Sequence, residues 1–185
     1  LRVGVKLPRT ALLRIMLMAS DNRAAHALAR TYPGGETKFI ARMNLAAERA
    51  GLTQTMFTDP SGLSTANVSS ARDLATLVHL AQKYEIIREY STTGRYPIVL
   101  STPKGNQLHT FSNTNLLTRD MGWTISLSKT GYINESGQCL VLRAIVAGRP
   151  VAIVLLDSYG KYSRIGDANR VKQWIERHRD VLLRS

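Results

Sequence analysis

From Thr10 to Met18 the chain is apolar on almost every side, with Leu12, Leu13, Ile15, Met16 and Leu17 leaving little polar face. That pattern predicts a short interior helix, preceded by Pro8 and capped by Thr10. Ser20-Asp21-Asn22 breaks the run, and a second helix follows from Arg23 to Arg30 on Ala24, Ala25, Ala27, Leu28 and Ala29. Pro33-Gly34-Gly35 stops it. From Glu36 to Ala50, residues Phe39, Ile40, Met43, Ala47 and Ala50 recur at helical spacing, and Gly51 stands where a left-handed C-cap belongs. Leu52 to Val68 is rich in Thr, Ser, Gly and Asn, and Asp59-Pro60-Ser61-Gly62 marks a turn, so an ordered loop is expected. Ser70 followed by Asp73 resembles a capping box, heading a helix whose stripe of Leu74, Leu77, Val78 and Ala81 runs on toward Tyr84.

After Ser91 the period shifts from 3.6 toward 2. Tyr96 to Leu100, Trp123 to Lys129, Gln138 to Ala147 and Val151 to Asp157 are rich in β-branched and aromatic residues and read as strands. Gly148-Arg149-Pro150 is short enough to join the last two as an antiparallel hairpin. A terminal helix follows, its apolar face supplied by Val171, Trp174, Ile175 and Val181. The expected architecture is α+β: a single domain with a mainly helical lobe over residues 1–90, then antiparallel sheet and a covering helix over 91–185.

Composition narrows the function. No apolar run approaches the ~20 residues that a spanning helix needs. Twenty-five Lys and Arg against 13 Asp and Glu give a net charge of +12, which admits nucleic acid, an anionic membrane or an anionic extracellular polymer as partner. The cations are dispersed from Arg2 to Arg184 without interleaved aromatics, so a stacking platform for single strands is not expected. His26, His79, His109 and His178 lack ligand spacing, so neither a metal nor another cofactor is expected. The lone Cys139 cannot form an internal disulfide and leaves the redox compartment open.

Two short motifs carry chemistry. Ser20-Asp21-Asn22 lies at the head of a helix, where by itself it reads as capping; Lys129-Thr130-Gly131 ends a strand, where by itself it reads as a turn with a solvated lysine. In this order the two match the second and third elements of the S-x-x-K, S-D-N, K-T-G set of penicillin-recognising serine enzymes. The chain resembles a low-molecular-mass penicillin-binding protein of the D-alanyl-D-alanine carboxypeptidase and endopeptidase kind, most closely the endopeptidase. Phe57 to Leu63, Ser69 to Asp73, Phe111 to Asn115 and Lys129 to Leu140 extend the resemblance along essentially the whole chain.

The resemblance implies a serine enzyme that cleaves the bond following a D-alanine in peptidoglycan through an acyl-enzyme. It implies Ser20 in the proton relay to the leaving nitrogen, and Asn22 on the amide of the substrate or acyl-enzyme. Lys129 would keep the relay polarised and, with Thr130, bind a carboxylate beside the scissile bond. Gly131 would admit the substrate to the strand edge, and the Tyr132 N–H would be an oxyanion donor. The implied partners are peptidoglycan stem peptides and β-lactams rather than nucleic acid, and the implied location is the periplasm.

The family's first motif, which supplies the nucleophile, precedes S-D-N, yet Leu1 to Ala19 contains no serine. The expectation is a chain lacking an upstream segment that carries the Ser-Lys pair, so these 185 residues alone are not acylated by penicillin while an extended chain is. Two other S-x-x-K matches are decoys. Pro103 forbids a helical turn in Ser101-Thr102-Pro103-Lys104, and Ser126-Leu127-Ser128-Lys129 is strand. Carboxypeptidase action is the alternative nearest in chemistry. A class A β-lactamase would need an E-x-x-L-N glutamate that none of Glu36, Glu48, Glu85 or Glu89 begins, and a non-catalytic basic binding module is the remaining class.

Overall fold

The structure is a computed structural model and describes residues 1–102, 105–160 and 162–179. Helices α1 (Arg9–Ala19), α2 (Asn22–Arg30), α3 (Gly35–Arg49), α4 (Ala71–Ala81) and α5 (Glu85–Thr92) come first. Strands β1 (Arg95–Thr102) and β2 (Gly105–Ser112) then form an antiparallel ribbon, and β3 (Thr124–Ile133), β4 (Gly137–Val146) and β5 (Arg149–Ser158) form an antiparallel sheet in sequential order. Helix α6 (Ser163–Arg177) closes the described fold.

The main core lies between the sheet and α6. Leu140, Leu142, Ala144 and Val146 alternate along β4, so all four share one face, and they pack with Ile153 of β5 and Ala168 of α6. Ile165, Val171 and Ile175 cover the same cluster. Trp174, expected on that face, is instead 53% exposed and stacks on His178; Val181 lies outside the described residues. Trp123 is in the core, and its indole N–H donates to Asn169 Oδ1 at 2.9 Å. A second cluster joins Ile15 and Met18 of α1 to Phe111 of β2.

Several local expectations change. Thr10 does not cap α1, which starts one residue earlier with Pro8 at the N-cap. Only Ala11, Ile15 and Met18 of α1 are buried, because Leu13 and Met16 line a groove shared with Leu28 and Phe39. The capping box is half formed: Ser70 accepts from Asp73 N, but the Asp73 carboxylate turns away to accept from Gln54 N and the Thr55 hydroxyl, both at 2.8 Å. The helical run does not continue to Tyr84, since α4 ends at Ala81 and the separate α5 follows. Strand β2 carries no apolar alternation, with Phe111 its one buried residue, which is why its sequence does not announce a strand.

Other signals hold. Gly51, at φ 69°, closes α3 in a Schellman motif, with Leu52 N donating to Ala47 O and Gly51 N to Glu48 O, both at 2.9 Å. The last hairpin is present, but its turn is Ala147-Gly148, both at positive φ, while Arg149 and Pro150 already pair with Val146 and Ile145. Pro150 is tolerated because, among the described residues, β5 pairs only with β4. The 52–68 loop is ordered around Asp59, whose carboxylate accepts from Ser61 N, Gly62 N, Ser64 N and the Asn67 amide. Burial acts to raise the Asp59 pKa, and these donors outweigh it, holding the carboxyl well below its usual range.

Candidate active site

Ser20 ends α1 in the left-handed region, at φ 53° and ψ 38°. That conformation reverses the chain between α1 and α2 and turns the Ser20 hydroxyl toward the sheet. Asp21 is the N-cap of α2, accepting from Ala24 N at 2.9 Å, and also receives the Leu1 nitrogen at 2.6 Å. Asn22 opens α2, and among the described residues its amide makes no protein hydrogen bond. Together with Ser20 and Asp21 it lines a shallow depression.

Lys129-Thr130-Gly131 lies within β3 rather than at its end, because Tyr132 and Ile133 continue the pairing with β4 to Gly137. β3 is an edge of its sheet, so the motif is presented along an open side. Lys129 Nζ donates to Ser20 Oγ and, at 2.9 Å, to Thr130 O. The Ser20 and Lys129 side chains, 109 residues apart, are thus in direct contact. Burial pushes the Lys129 pKa down to about 8, and the nearby Arg164 cation adds to the depression. Gly131 is exposed, and a Cβ there would stand 3.4 Å from that of Cys139, so space is tight toward β4. Tyr132 is exposed, its hydroxyl donating to Asn134 at 2.9 Å.

Of the decoys, Pro103 and Lys104 lie outside the described residues. Ser126 sits at a β-bulge, where its hydroxyl bonds Arg143, while Lys129 reaches Ser20, so the pair has no common target.

The sequence reading missed the groups that hold this arrangement. Thr114 accepts or donates at 2.6 Å with the Thr130 hydroxyl, and its backbone N–H donates to Met18 O at 3.0 Å, tying K-T-G to the end of α1. Asn115, fully buried, donates to Ser128 Oγ at 2.8 Å and accepts from Leu117 N at 3.1 Å. Asn113 donates to Ser91 O and Thr93 O, both at 2.9 Å. Arg164 of α6 donates to Gly131 O at 2.9 Å and Cys139 O at 3.0 Å, carrying a fixed positive charge behind β3. Phe111 to Asn115 was the one signal available for the first three; nothing in the spacing pointed to Arg164.

The D-alanyl-D-alanine carboxypeptidase family matches residues 1–160 of this chain. D-alanyl-D-alanine endopeptidases from Pseudomonas aeruginosa and Escherichia coli are each 42% identical over 175 residues, 95% of this chain. The chain spans 56% of the length of each. A Streptomyces DD-transpeptidase crystal structure superposes with a TM-score of 0.86 at 32% identity, covering 94% of this chain and 70% of that one. A cefotaxime-bound penicillin-binding protein from Listeria monocytogenes gives 0.75 at 26%, covering 90% and 66%. The helical segment, the antiparallel sheet and the closing helix therefore have the DD-transpeptidase fold, and the chain belongs to the D-alanyl-D-alanine carboxypeptidase family.

Proposed function

We propose that this chain carries the second and third motifs of a serine D-alanyl-D-alanine endopeptidase that opens peptide cross-links in peptidoglycan and is acylated by β-lactams. It would work outside the cytoplasm, in the periplasm; among the described residues no helix is long and apolar enough to cross a membrane. The observation that carries the reading is the Lys129–Ser20 hydrogen bond.

In the reaction a serine oxygen attacks the D-alanyl carbonyl, the C–O bond forms, the C–N bond breaks, and the leaving nitrogen takes a proton. Ser20 is suited to deliver that proton, since its hydroxyl accepts from Lys129 and is free to donate forward. The half-lowered lysine pKa suits such a relay, because near neutral pH the ammonium persists while its proton is loosely held. Asn22 would hold the substrate amide. Thr130, its hydroxyl fixed by Thr114, would bind the carboxylate next to the scissile bond with Lys129, and the Arg164 charge strengthens that anion site. Gly131 leaves the β3 edge open for an extended peptide, and the Tyr132 N–H would face the developing oxyanion, a role worth roughly 3 kcal/mol of barrier. Acyl-enzyme hydrolysis by water completes the cycle.

The residues also weigh against rapid β-lactam turnover, because Glu36 is bonded to His26 and Glu89 to Arg14 instead of standing at Ser20. Digestion of purified cross-linked and uncross-linked muropeptides by the protein extended to the length of its relatives tests the reading. Conversion of cross-linked dimers to monomers is expected. Release of only terminal D-alanine would replace it with carboxypeptidase action, and fast nitrocefin turnover would replace it with β-lactamase action.

A further inference from the structure

We propose that Thr114 is a positioning residue for the acylation step: it sets the gap between the end of α1, which carries Ser20, and β3, which carries Lys129. The inference deepens the proposed function and rests on it for the reaction, though not for which polymer is cleaved.

Thr114 stands between two locked neighbours in the connector from β2 to the short 3-10 helix Leu116–Arg119. Asn113 N donates to Gly94 O, and its side chain donates to Ser91 O and Thr93 O, all at 2.9 Å. Asn115 N donates to Asn113 Oδ1 at 2.9 Å, and its side chain holds Ser128 and Leu117. Both asparagines are buried, whereas Thr114 is exposed and bonded to each half of the site. Its N–H donates to Met18 O, two residues before Ser20, and its hydroxyl bonds that of Thr130, one residue after Lys129. The end of α1 is as firmly held, since Met18 is fully buried and packs with Ile15 and Phe111. With connector and α1 fixed, a change at residue 114 falls on β3, an edge strand among the described residues.

Distance gives the effect its sign. The two hydroxyl oxygens are 2.6 Å apart, a separation that a hydrogen bond permits and a van der Waals contact does not. A methyl group in place of the Thr114 oxygen stands no closer than roughly 3.3 Å to the Thr130 oxygen, so Thr114→Val wedges the strand off by roughly 0.7 Å. The contact that stretches is the one that crosses the gap, Lys129 to Ser20. Lys129, Thr130 and Gly131 shift together as one strand, so a ligand seated along that edge moves with them. The loss therefore falls on proton transfer across the gap and not on binding, where a displacement of about 1 Å costs on the order of 100-fold in rate. An exposed threonine ordinarily exchanges at little cost in stability, which makes a rate effect at this position diagnostic.

The test uses the protein at the full length of its relatives, with thermal midpoints reporting folding. Stopped-flow labelling by a fluorescent penicillin over a range of concentrations separates the dissociation constant of the first complex from the rate constant of acylation. Thr114→Val should lower the rate constant by about thirtyfold and leave the dissociation constant within about threefold. Its thermal midpoint should stay within about 2 °C of wild type. Thr114→Ser, which keeps the oxygen, should restore the rate constant to within about twofold. Thr114→Ala removes the bond without the wedge and should fall between the two, so the series is readable even if Thr114→Val does not fold. A wild-type rate constant in Thr114→Val or, failing its folding, in Thr114→Ala overturns the positioning role. So does a loss carried by the dissociation constant, or a Thr114→Ser variant as slow as Thr114→Ala. Wild-type protein that penicillin does not label would instead strike the proposed function, so the two failures are distinct.

Discussion

The two sides of the candidate site are built on different physical terms. The Lys129 side is a strand edge backed by buried polar groups, with Asn115 and Ser128 almost inaccessible and each carrying a hydrogen-bond partner. The Ser20 side is a helix–helix junction in the left-handed region, flanked by exposed cations and a shallow depression. One half is held by desolvated hydrogen bonds, where chemistry needs geometry and a shifted pKa. The other is held by a turn and a cap, where an incoming polymer needs access. The difference predicts that substitutions on the sheet side damage both stability and chemistry, and that those on the helix side separate the two.

The strongest way to break that contrast is Lys129→Ala. In the full-length protein, penicillin acylation should fall by on the order of 10³-fold, since the proposed relay and the proposed anion site would lose their shared cation together. Stopped-flow labelling measures it, and a drop below tenfold would mean Lys129 is only a structural strut.

The next effect separates desolvation from function. Burial holds the Lys129 pKa at about 8 in the folded state against 10.5 unfolded, so the unfolded chain binds more protons between those values. The destabilisation from a buried ammonium is complete below pH 8 and is relieved as pH rises to 10.5. Relative to Lys129→Met, the wild type should gain roughly 3 kcal/mol of stability across that interval. Urea titrations at a series of pH values read this, and parallel pH profiles would show that the ammonium is well solvated. If the cation holds the carboxylate, KM for a peptide should also rise above pH 8.

Asn115→Ala comes third. It strands Ser128 Oγ and Leu117 N in the interior, at a cost of about 2 kcal/mol read from denaturant unfolding curves. Leu116→Ala next door, on a side chain 45% exposed, should stay within about 0.5 kcal/mol. Equal costs would mean the connector is stabilised by its backbone alone.

Why the sequence showed one side of the site more fully than the other follows from the same contrast. Gly51, the Asp59 turn and the S-D-N junction are local devices, in which residues a few positions apart solve a backbone problem, so spacing reveals them. The β3-β4-β5 sheet was legible because its apolar residues alternate, with Leu140, Leu142, Ala144 and Val146 of β4 and Ile153 of β5 buried. Strand β2 and helix α5 were not separately legible: the first leaves all but Phe111 exposed, and the second is only eight residues long. Thr114 and Arg164 act on β3 from 16 and 33 residues away, through single hydrogen bonds that impose no periodicity on the chain. The capping box failed for a related reason, because a distant loop offered Asp73 better donors than its own helix start. Motif order located Ser20 and Lys129, and only packing supplied what fixes them.

The smallest effect probes the helix side, and it is the most discriminating because it concerns the middle residue of the triplet. Asp21 accepts from Ala24 N as the N-cap of α2 and from the Leu1 nitrogen, and neither partner is Lys129. Asp21→Ala should therefore cost about 1 kcal/mol, the usual loss for a removed cap. Asp21→Asn, which keeps an oxygen for the same N–H, should recover most of it. Penicillin labelling by the full-length protein should change by no more than about threefold in either variant, a difference well under 1 kcal/mol. Calorimetry on both variants gives the first comparison and labelling the second. If Asp21→Asn were as slow to acylate as Lys129→Ala, the negative charge of Asp21 would itself belong to the proposed relay, alongside Ser20 and Lys129.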